Sequence, residues 1–251
     1  MKNLIKNGWL TEEEAKLFEA DKEMTECMDL CTSPKKTQIF NALDLVPFDK
    51  VKVVILGKDP YPNPKDAHGL AFSSKDSKTP DSLKNIFKSI DETYGSNLFG
   101  AAKNDLTEWA KQGVLLLNTG LTFQKIQDSD ISSKERDSLQ AGAQRKHMRV
   151  WKPFVNLIIK KILTIKDRPV VMMLWGNDAH NLVFSNIKEG KEFLHSRKEF
   201  IVPNTSVLLL QTSHPSPLSV NRGGDFPVTM PEHFRLCDKY LGGAKIVWTD
   251  I

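Results

Sequence analysis

The chain has 251 residues, of which 40% are hydrophobic and 26% are charged, a composition typical of globular proteins. With 14 glycines, 13 prolines and 3 cysteines, it is neither a collagen-like chain, nor a low-complexity disordered chain, nor a small disulfide-rich scaffold. The 35 basic and 31 acidic side chains give a formal net charge of +4, which permits a polyanionic partner without requiring one.

The sequence predicts a cytoplasmic, intracellular protein with no membrane partner. No stretch reaches the roughly 18 to 20 apolar residues that span a bilayer, and residues 1–12 lack the continuous apolar core of a secretory signal. The number of cysteines is odd, which is typical of reduced thiols; they are Cys27, Cys31 and Cys237. Because Cys27 and Cys31 have no two further ligands nearby, we expect no metal site at this pair.

The predicted elements begin with a helical region over about residues 1–45, in which Thr11 and Glu14 fit a capping box. Four continuous apolar runs lie further along the chain and predict strands that are buried on both faces. These runs are residues 51–56, 114–118, 170–175 and 206–211.

Helical periodicity lies between the runs, at residues 82–92, 105–112 and 151–165. Strands that alternate with helices predict an α/β fold with a central four-stranded, mainly parallel sheet flanked by helices on both faces. Since no internal repeat and no flexible linker divides the chain, we expect one domain over residues 1–251.

One segment interrupts this alternation. Residues 124–150 are polar and charged, and we interpret them as an insertion that forms a solvated loop or a short surface helix. The alternative is a basic patch, carried mostly by residues 145–149, that contacts a partner.

Polar residues follow the predicted strands at their carboxyl ends, where ligands bind in open parallel sheets. Asp59 and Tyr61 come after the first strand, Asn118 ends the second, Asn177 follows the third and His214 follows the fourth. A carboxylate, an amide and an imidazole are therefore expected to converge on one edge of the sheet.

The motifs of several common sites are absent from the sequence. It contains no G-x-x-x-x-G-K-[ST] phosphate loop, no G-x-G-x-x-G after a strand, no G-x-S-x-G, no H-E-x-x-H and no paired C-x-x-C. We therefore expect a site that uses no metal and no cofactor and is built from Asp, Asn and His.

Four motifs resemble those of a known family. Residues 57–61 (Gly-Lys-Asp-Pro-Tyr), with residues 67–73, resemble the water-activating loop of family 1 uracil-DNA glycosylases. Residues 115–122 are similar to that family's uracil-reading strand, and residues 80–86 resemble its proline-rich phosphate loop. Residues 214–219 (His-Pro-Ser-Pro-Leu-Ser) resemble its minor-groove intercalation loop.

This resemblance covers about residues 51–222 and implies a monofunctional hydrolase of base excision repair. Such an enzyme flips uracil out of DNA and hydrolyses its N-glycosidic bond, which releases uracil and leaves an abasic site. The implied partners are single- and double-stranded DNA containing uracil, and a protein inhibitor at the DNA groove is a further candidate. We expect the enzyme to be a monomer.

The predicted catalytic residues are Asp59 and His214. Asp59 would stabilise the sugar cation and orient or deprotonate the attacking water, while His214 would donate a hydrogen bond to uracil O2. The predicted uracil-binding residues are Lys58, Tyr61, Phe72 and Asn118. Asn118 offers the donor and acceptor that fit the O4 and N3–H edge of uracil. Phe72 would stack on the base, worth about 1 to 3 kcal/mol.

The resemblance also implies a set of DNA-binding residues and a role for Tyr61. Tyr61 resembles the steric block that excludes the C5 methyl group of thymine. Leu218 is an apolar wedge for the space that the flipped nucleotide vacates, and the serines would hold phosphates. The predicted DNA-binding residues are Pro80, Ser82, Asn177, Ser216, Pro217, Leu218 and Ser219.

The sequence departs from the family pattern at Lys58, where Gln is usual, at Pro62, where His is common, and in the length of residues 124–150. Two alternative functions stay open. One is a non-catalytic DNA-binding subunit of a replication complex, against which the retained catalytic residues argue. The other is a glycosylase for another modified pyrimidine, which Lys58 motivates and Tyr61 disfavours.

Overall fold

The computed structural model of the chain describes residues 1–101, 103–127, 130–187 and 199–251. Four short helices open the chain: α1 (Lys2–Lys6), α2 (Glu12–Glu19), α3 (Lys22–Asp29) and α4 (Asn41–Leu45). The predicted capping box is confirmed, because the Thr11 side chain accepts from the Glu14 amide and the Glu14 carboxylate accepts from the Thr11 amide.

The described strands form one sheet in the order β2-β1-β3-β5-β4. Their bounds are β1 (Val53–Gly57), β2 (Val114–Asn118), β3 (Val170–Trp175), β4 (Glu199–Ile201) and β5 (Val207–Thr212). The first three strands and β5 are parallel, whereas β4 pairs antiparallel with β5 at the edge. The predicted fold class is confirmed, and the sheet has one strand more than the four expected.

The strand that the sequence did not reveal is β4, and its physical character explains why. It has only three residues, and its side chains are exposed or half-buried at the edge of the sheet. Such a strand contains no continuous apolar run of the kind that marks the four central strands.

The remaining described helices are α5 (Asp81–Tyr94), α6 (Leu98–Ala101), α7 (Thr107–Lys111), α8 (Ser133–Ile162), α9 (Asn177–Phe184), α10 (Pro217–Asn221) and α11 (Phe226–Leu241). Every residue of β1, β2 and β3 is buried. Because side chains alternate between the two faces of a strand, helices cover both faces of the sheet. No helix within the described ranges is long and apolar enough to cross a membrane.

The expectation of a loop or short surface helix at residues 124–150 is wrong for most of that segment. Residues 133–150 are the first part of α8, a helix of 30 residues whose second part contains most of the helix predicted at 151–165. The segment is rich in residues of high helix propensity but presents too few apolar positions for the helical period to be visible. Residues 128 and 129 lie outside the described part of the chain.

Candidate active site

A cavity of about 230 Å³ opens at the carboxyl edge of β1, β2 and β5. Its size is below the range of about 300 to 1,000 Å³ typical of drug-sized ligands, which suits a single flat base. The lining includes both predicted catalytic residues, the four predicted uracil-binding residues and one predicted DNA-binding residue. These are Lys58, Asp59, Tyr61, Phe72, Ser82, Asn118 and His214.

The pairing of β1 with β2 places Asn118 on the cavity wall. Gly57 lies opposite Asn118 in the register of the two strands. A Cβ atom at position 57 would overlap the Asn118 Oδ1 atom and would lie 2.8 Å from the Ala71 Cβ, so this position requires glycine. Within the described part of the chain the Asn118 side-chain amide has no hydrogen-bond partner, although only 6% of the residue is exposed. Its donor and acceptor are therefore available to a ligand.

Phe72 has an unusual backbone conformation, with a φ of 62°. Non-glycine residues rarely adopt this left-handed region, and such strain is concentrated at functional sites. Two contacts hold the segment: the Ala71 amide donates to Leu116 O at 2.9 Å, and the Tyr61 hydroxyl donates to Phe72 O at 3.1 Å. The Phe72 ring centroid lies 5.5 Å from that of Trp175 and 6.0 Å from that of His214.

Tyr61 is held from both its backbone and its side chain. Ser33 Oγ donates to Tyr61 O at 2.5 Å, while the Tyr61 hydroxyl is engaged by Phe72 O. Burial, with a smaller effect of Asp66, raises the pKa of the Tyr61 hydroxyl well above its usual value. The ring is therefore a fixed, neutral part of the cavity wall.

Asp59 is half-buried in the lining of the cavity and accepts a hydrogen bond from the side-chain amide of Gln144, on α8. Burial is the largest influence on its pKa and raises it, and Asp178 raises it further. The Gln144 hydrogen bond and the charge of Lys58 lower it, without cancelling the effect of burial.

The hydrogen bonds of His214 fix the position of its proton. The Ser216 backbone amide donates to His214 Nδ1 at 3.0 Å, so Nδ1 carries no proton and Nε2 carries it. Burial is the largest influence on the His214 pKa and lowers it, which favours the neutral imidazole. A neutral ring with an Nε2–H donor therefore lines the cavity. Gly176, with a φ of 92°, allows this approach, because a Cβ there would lie 2.9 Å from the His214 Cβ.

Lys58 is exposed at the mouth of the cavity, and its Nζ lies 3.8 Å from Asp178 Oδ2 on α9. Asn177, which precedes Asp178, does not line the main cavity. It lines a neighbouring cavity of about 270 Å³ that Lys58 and His214 also line.

The predicted intercalation loop forms the short helix α10. Ser216 caps this helix by accepting a hydrogen bond from the Ser219 amide at 3.4 Å, and Pro217 occupies its first turn. Leu218 is 62% exposed, an unusual state for a large apolar side chain. Asn85 Nδ2 donates to Pro215 O at 2.8 Å and ties this loop to α5.

Two further predicted DNA-binding residues lie at the start of α5. Pro80 precedes the first turn of the helix, and Ser82 lies within that turn and lines the cavity. The N-terminus of α5 therefore faces the cavity mouth, where its backbone amides and positive dipole end favour an anion such as a phosphate.

Gln144 is the residue at this site that the sequence did not reveal. It lies 85 positions from Asp59 in the chain, inside the segment interpreted as a surface insertion. The sequence holds one indirect signal: Gln144, His147 and Trp151 recur at helical spacing and lead into the helix predicted at 151–165.

Comparison with known proteins identifies the family of the chain. The sequence-family model that describes the uracil DNA glycosylase superfamily matches residues 43–242 of this chain. The uracil-DNA glycosylase of Streptococcus mutans is 37% identical over 204 residues, which are 80% of this chain and 77% of that protein. The uracil-DNA glycosylase of Bacillus cereus is 34% identical over 230 residues, which are 89% of this chain and 87% of that protein.

Solved structures share the fold. The crystal structure of mimivirus uracil-DNA glycosylase superimposes with a TM-score of 0.58 at 23% identity, covering 86% of this chain and 72% of that one. The crystal structure of wild-type UNG from Nitratifractor salsuginis gives a TM-score of 0.57 at 19% identity, covering 96% of this chain and 95% of that one. A variant of mimivirus UNG, crystallised in complex with UGI, gives a TM-score of 0.58 at 24% identity, covering 82% of this chain and 69% of that one.

Proposed function

The chain belongs to the uracil DNA glycosylase superfamily, and we propose that its cavity holds a uracil flipped out of DNA, with Asp59 and His214 as the catalytic residues. It is a DNA-repair enzyme, a glycosylase that excises uracil by hydrolysis of the N-glycosidic bond. One observation carries the assignment of the residues: Asp59, Phe72, Asn118 and His214 come from separate segments and line one cavity of about 230 Å³.

The cavity wall accounts for the choice of base. The free amide of Asn118 matches uracil, whose O4 accepts and whose N3–H donates, and it mismatches cytosine, which has the opposite polarity at these positions. The Phe72 ring provides a stacking surface. Tyr61 is fixed at its hydroxyl and its backbone, so it cannot move aside for a C5 methyl group.

Asp59 and His214 account for the chemistry. As the C1′–N1 bond breaks, its electron pair leaves with uracil, and positive charge develops on the sugar. The Asp59 carboxylate stabilises that charge and orients the water that attacks C1′, and it or the solvent takes the water proton. The Nε2–H of His214 donates to uracil O2, where the negative charge of the leaving base builds up.

The exposed and half-buried residues around the cavity account for DNA binding. Leu218 projects from α10 as a wedge for the vacated space in the stack. The DNA backbone contacts Pro80, Ser82, Asn177, Ser216, Pro217 and Ser219, which position the strand without reading its sequence. Lys58 lies at the mouth, where it reaches either the uracil anion or a phosphate.

The substrate in this proposal is uracil in single- or double-stranded DNA, and the enzyme acts as a monomer. By analogy with the complex of mimivirus UNG with UGI, a protein inhibitor would cover the DNA-binding residues around the cavity. The whole chain would work as one glycosylase domain, because a single hydrophobic cluster extends from Leu4 to Trp248.

The experiment is an excision assay on single-stranded oligonucleotides that contain uracil, thymine or 5-hydroxymethyluracil. We expect release of uracil alone, because Tyr61 excludes substituents at C5. Release of 5-hydroxymethyluracil at a comparable rate would contradict this account of specificity in favour of a broader glycosylase. Binding without release of any base would instead identify a non-catalytic DNA-binding subunit.

A further inference from the structure

The first part of α8 lies over the loops that follow β1 and β2. The Met148 thioether is 3.8 Å from Thr119 Oγ1, and a Cβ on Gly120 would lie 2.7 Å from the same sulfur. Gln144, one turn earlier on the same face of the helix, donates its side-chain amide to Asp59 Oδ2. The segment that departs in length from the family pattern therefore touches the predicted catalytic carboxylate.

Contacts on two sides fix this part of α8. On one side, two basic side chains of α8 pair with acidic side chains of α3: Lys146 with Glu26 at 2.7 Å and Arg149 with Glu23 at 2.8 Å.

On the other side, the helix is joined to Thr122. Trp151 Nε1 donates to Thr122 Oγ1 at 2.6 Å, and the same hydroxyl lies 2.7 Å from His147 Nδ1. The Gln144 side chain is thus presented from an anchored helix.

The hydrogen bond engages only one of the two carboxylate oxygens of Asp59. Gln144 binds Oδ2, while Oδ1 has no hydrogen-bond partner within the described residues. An amide donor favours the ionised form of a carboxylate and also fixes its plane. Oδ1 is therefore the oxygen left to face the water and the sugar.

The other groups around Asp59 do not replace this contact. Lys58 is exposed and lies 3.8 Å from Asp178, whose own charge disfavours ionisation of Asp59. His214 and Tyr61 line the same cavity, the first as a neutral imidazole and the second as a neutral phenol.

We propose that Gln144 is a positioning residue for uracil excision: its amide holds Asp59 by Oδ2, keeps the carboxylate ionised and turns Oδ1 toward the attacking water. This inference rests on the proposed role of Asp59. It assigns a function to the extended segment, which the motifs of the sequence left outside the site.

The test is Gln144→Met, which keeps the length and helix propensity of the side chain but removes the donor. Loss of a donor to the ionised form raises the pKa of Asp59, so the acid limb of kcat/KM should move to higher pH. We expect a shift of about one pH unit, at the low end of what a hydrogen bond to a charged group provides. The pKa of Asp59 in the free protein, followed at its carboxyl carbon by NMR, should rise by the same amount.

A second variant and a matched control accompany this test. A glutamic acid in Gln144→Glu can donate to Asp59 only while its own carboxyl group is protonated. As the pH rises it loses that proton and repels the Asp59 carboxylate, so the activity of this variant relative to wild type should fall. Gln140 lies one turn earlier on α8. Among the described residues its side chain bonds only to backbone atoms, accepting from Ile126 N at 2.9 Å and donating to Gln124 O at 2.7 Å. Gln140→Met should leave the acid limb unmoved.

The results separate this inference from the proposed function. If Asp59→Asn keeps normal turnover, the catalytic role of Asp59 is wrong. If Asp59→Asn loses turnover while Gln144→Met leaves both the Asp59 pKa and the acid limb where they are in wild type, only the role of Gln144 is overturned. Equal shifts in Gln144→Met and Gln140→Met would also overturn it, because the effect would then belong to the helix as a whole.

Discussion

The cavity wall and the rim around it differ in burial and in the contacts that hold their side chains. The wall, formed by Asp59, Tyr61, Phe72, Asn118 and His214, is buried or half-buried and is held by hydrogen bonds and strand register. The rim, formed by Lys58, Asn177 and Leu218, is exposed to solvent.

Electrostatic contacts are stronger in a site that excludes water, whereas charges in solvent are screened by salt. Changes in the wall should therefore alter the reaction or the choice of base by large factors. Changes on the rim should have smaller effects, on DNA binding or on the rate of excision, and those effects should depend on salt or on whether the DNA is single- or double-stranded. The following substitutions test this difference, beginning with the largest expected effect.

Asp59→Asn should reduce the single-turnover rate of uracil release by at least about 100-fold, the cost of losing one preorganised electrostatic contact to the transition state. Binding of a uracil-containing strand should persist, since the shape of the side chain is retained. Rapid-quench kinetics and a binding titration on the same oligonucleotide measure the two quantities. Near-normal turnover in this variant would mean that the wall does not act through its carboxylate.

Asn118→Asp should change the choice of base. A carboxylate accepts hydrogen bonds but cannot donate to uracil O4, so the cavity loses its match to uracil and tolerates the cytosine amino group better. We expect the ratio of uracil to cytosine release to fall by about 10-fold or more, the scale of a lost polar match. Release from otherwise identical strands containing either base gives this ratio. If the ratio stays at the wild-type value, Asn118 is not the residue that reads the base.

These two predictions concern residues that the sequence could place. Asp59, Asn118 and His214 each end or follow a strand, and parallel strands bring their carboxyl ends to one edge. The bounds predicted for β2 and β3 are confirmed to the residue. What the sequence did not contain as a local signal was the short edge strand β4 and the contact of Gln144 with Asp59.

The physical reason lies in the range of the interactions. Local apolar runs reveal central strands because both faces are buried, but a three-residue edge strand has no such run. The polar part of α8 buries few side chains, so its helical period is weak. A hydrogen bond between residues 85 positions apart depends on how α8 packs on α3 and on the residues that follow β2, which no motif of the sequence specifies.

Leu218→Ala tests the rim with an apolar side chain. The wedge replaces stacking that is lost on flipping, so its truncation should slow excision by about 3- to 10-fold in duplex DNA. The effect should be smaller in single strands, because an unpaired base leaves little stacking to replace. Excision rates on the two forms of one sequence provide the comparison. An equal loss on both forms would contradict the role of Leu218 as a wedge.

Lys58→Gln should have the smallest effect. If Lys58 contacts a phosphate, the log-log salt slope of binding to single-stranded DNA should flatten by about 0.7. If it acts on the departing uracil, the single-turnover rate should fall while the slope is unchanged. We favour the phosphate contact, because Lys is a flexible point charge in solvent at this position.

Lys50→Gln is the matched control for this charge. Lys50 is also exposed and also pairs with an acidic residue, Asp49 at 3.1 Å, but it precedes β1 at the opposite edge of the sheet. Lys50→Gln should leave both the salt slope of DNA binding and the single-turnover rate at wild-type values. If Lys58→Gln and Lys50→Gln behave alike, Lys58 has neither role.

The most direct measurement is the crystal structure of Asp59→Asn bound to a single-stranded oligonucleotide that contains one uracil. We expect an intact glycosidic bond and the base within the cavity, with the Asn118 amide at O4 and N3, the Phe72 ring stacked on the base and His214 Nε2 at O2. A uracil bound outside the cavity, or inside it with Asn118 and His214 facing other atoms, would contradict the central claim.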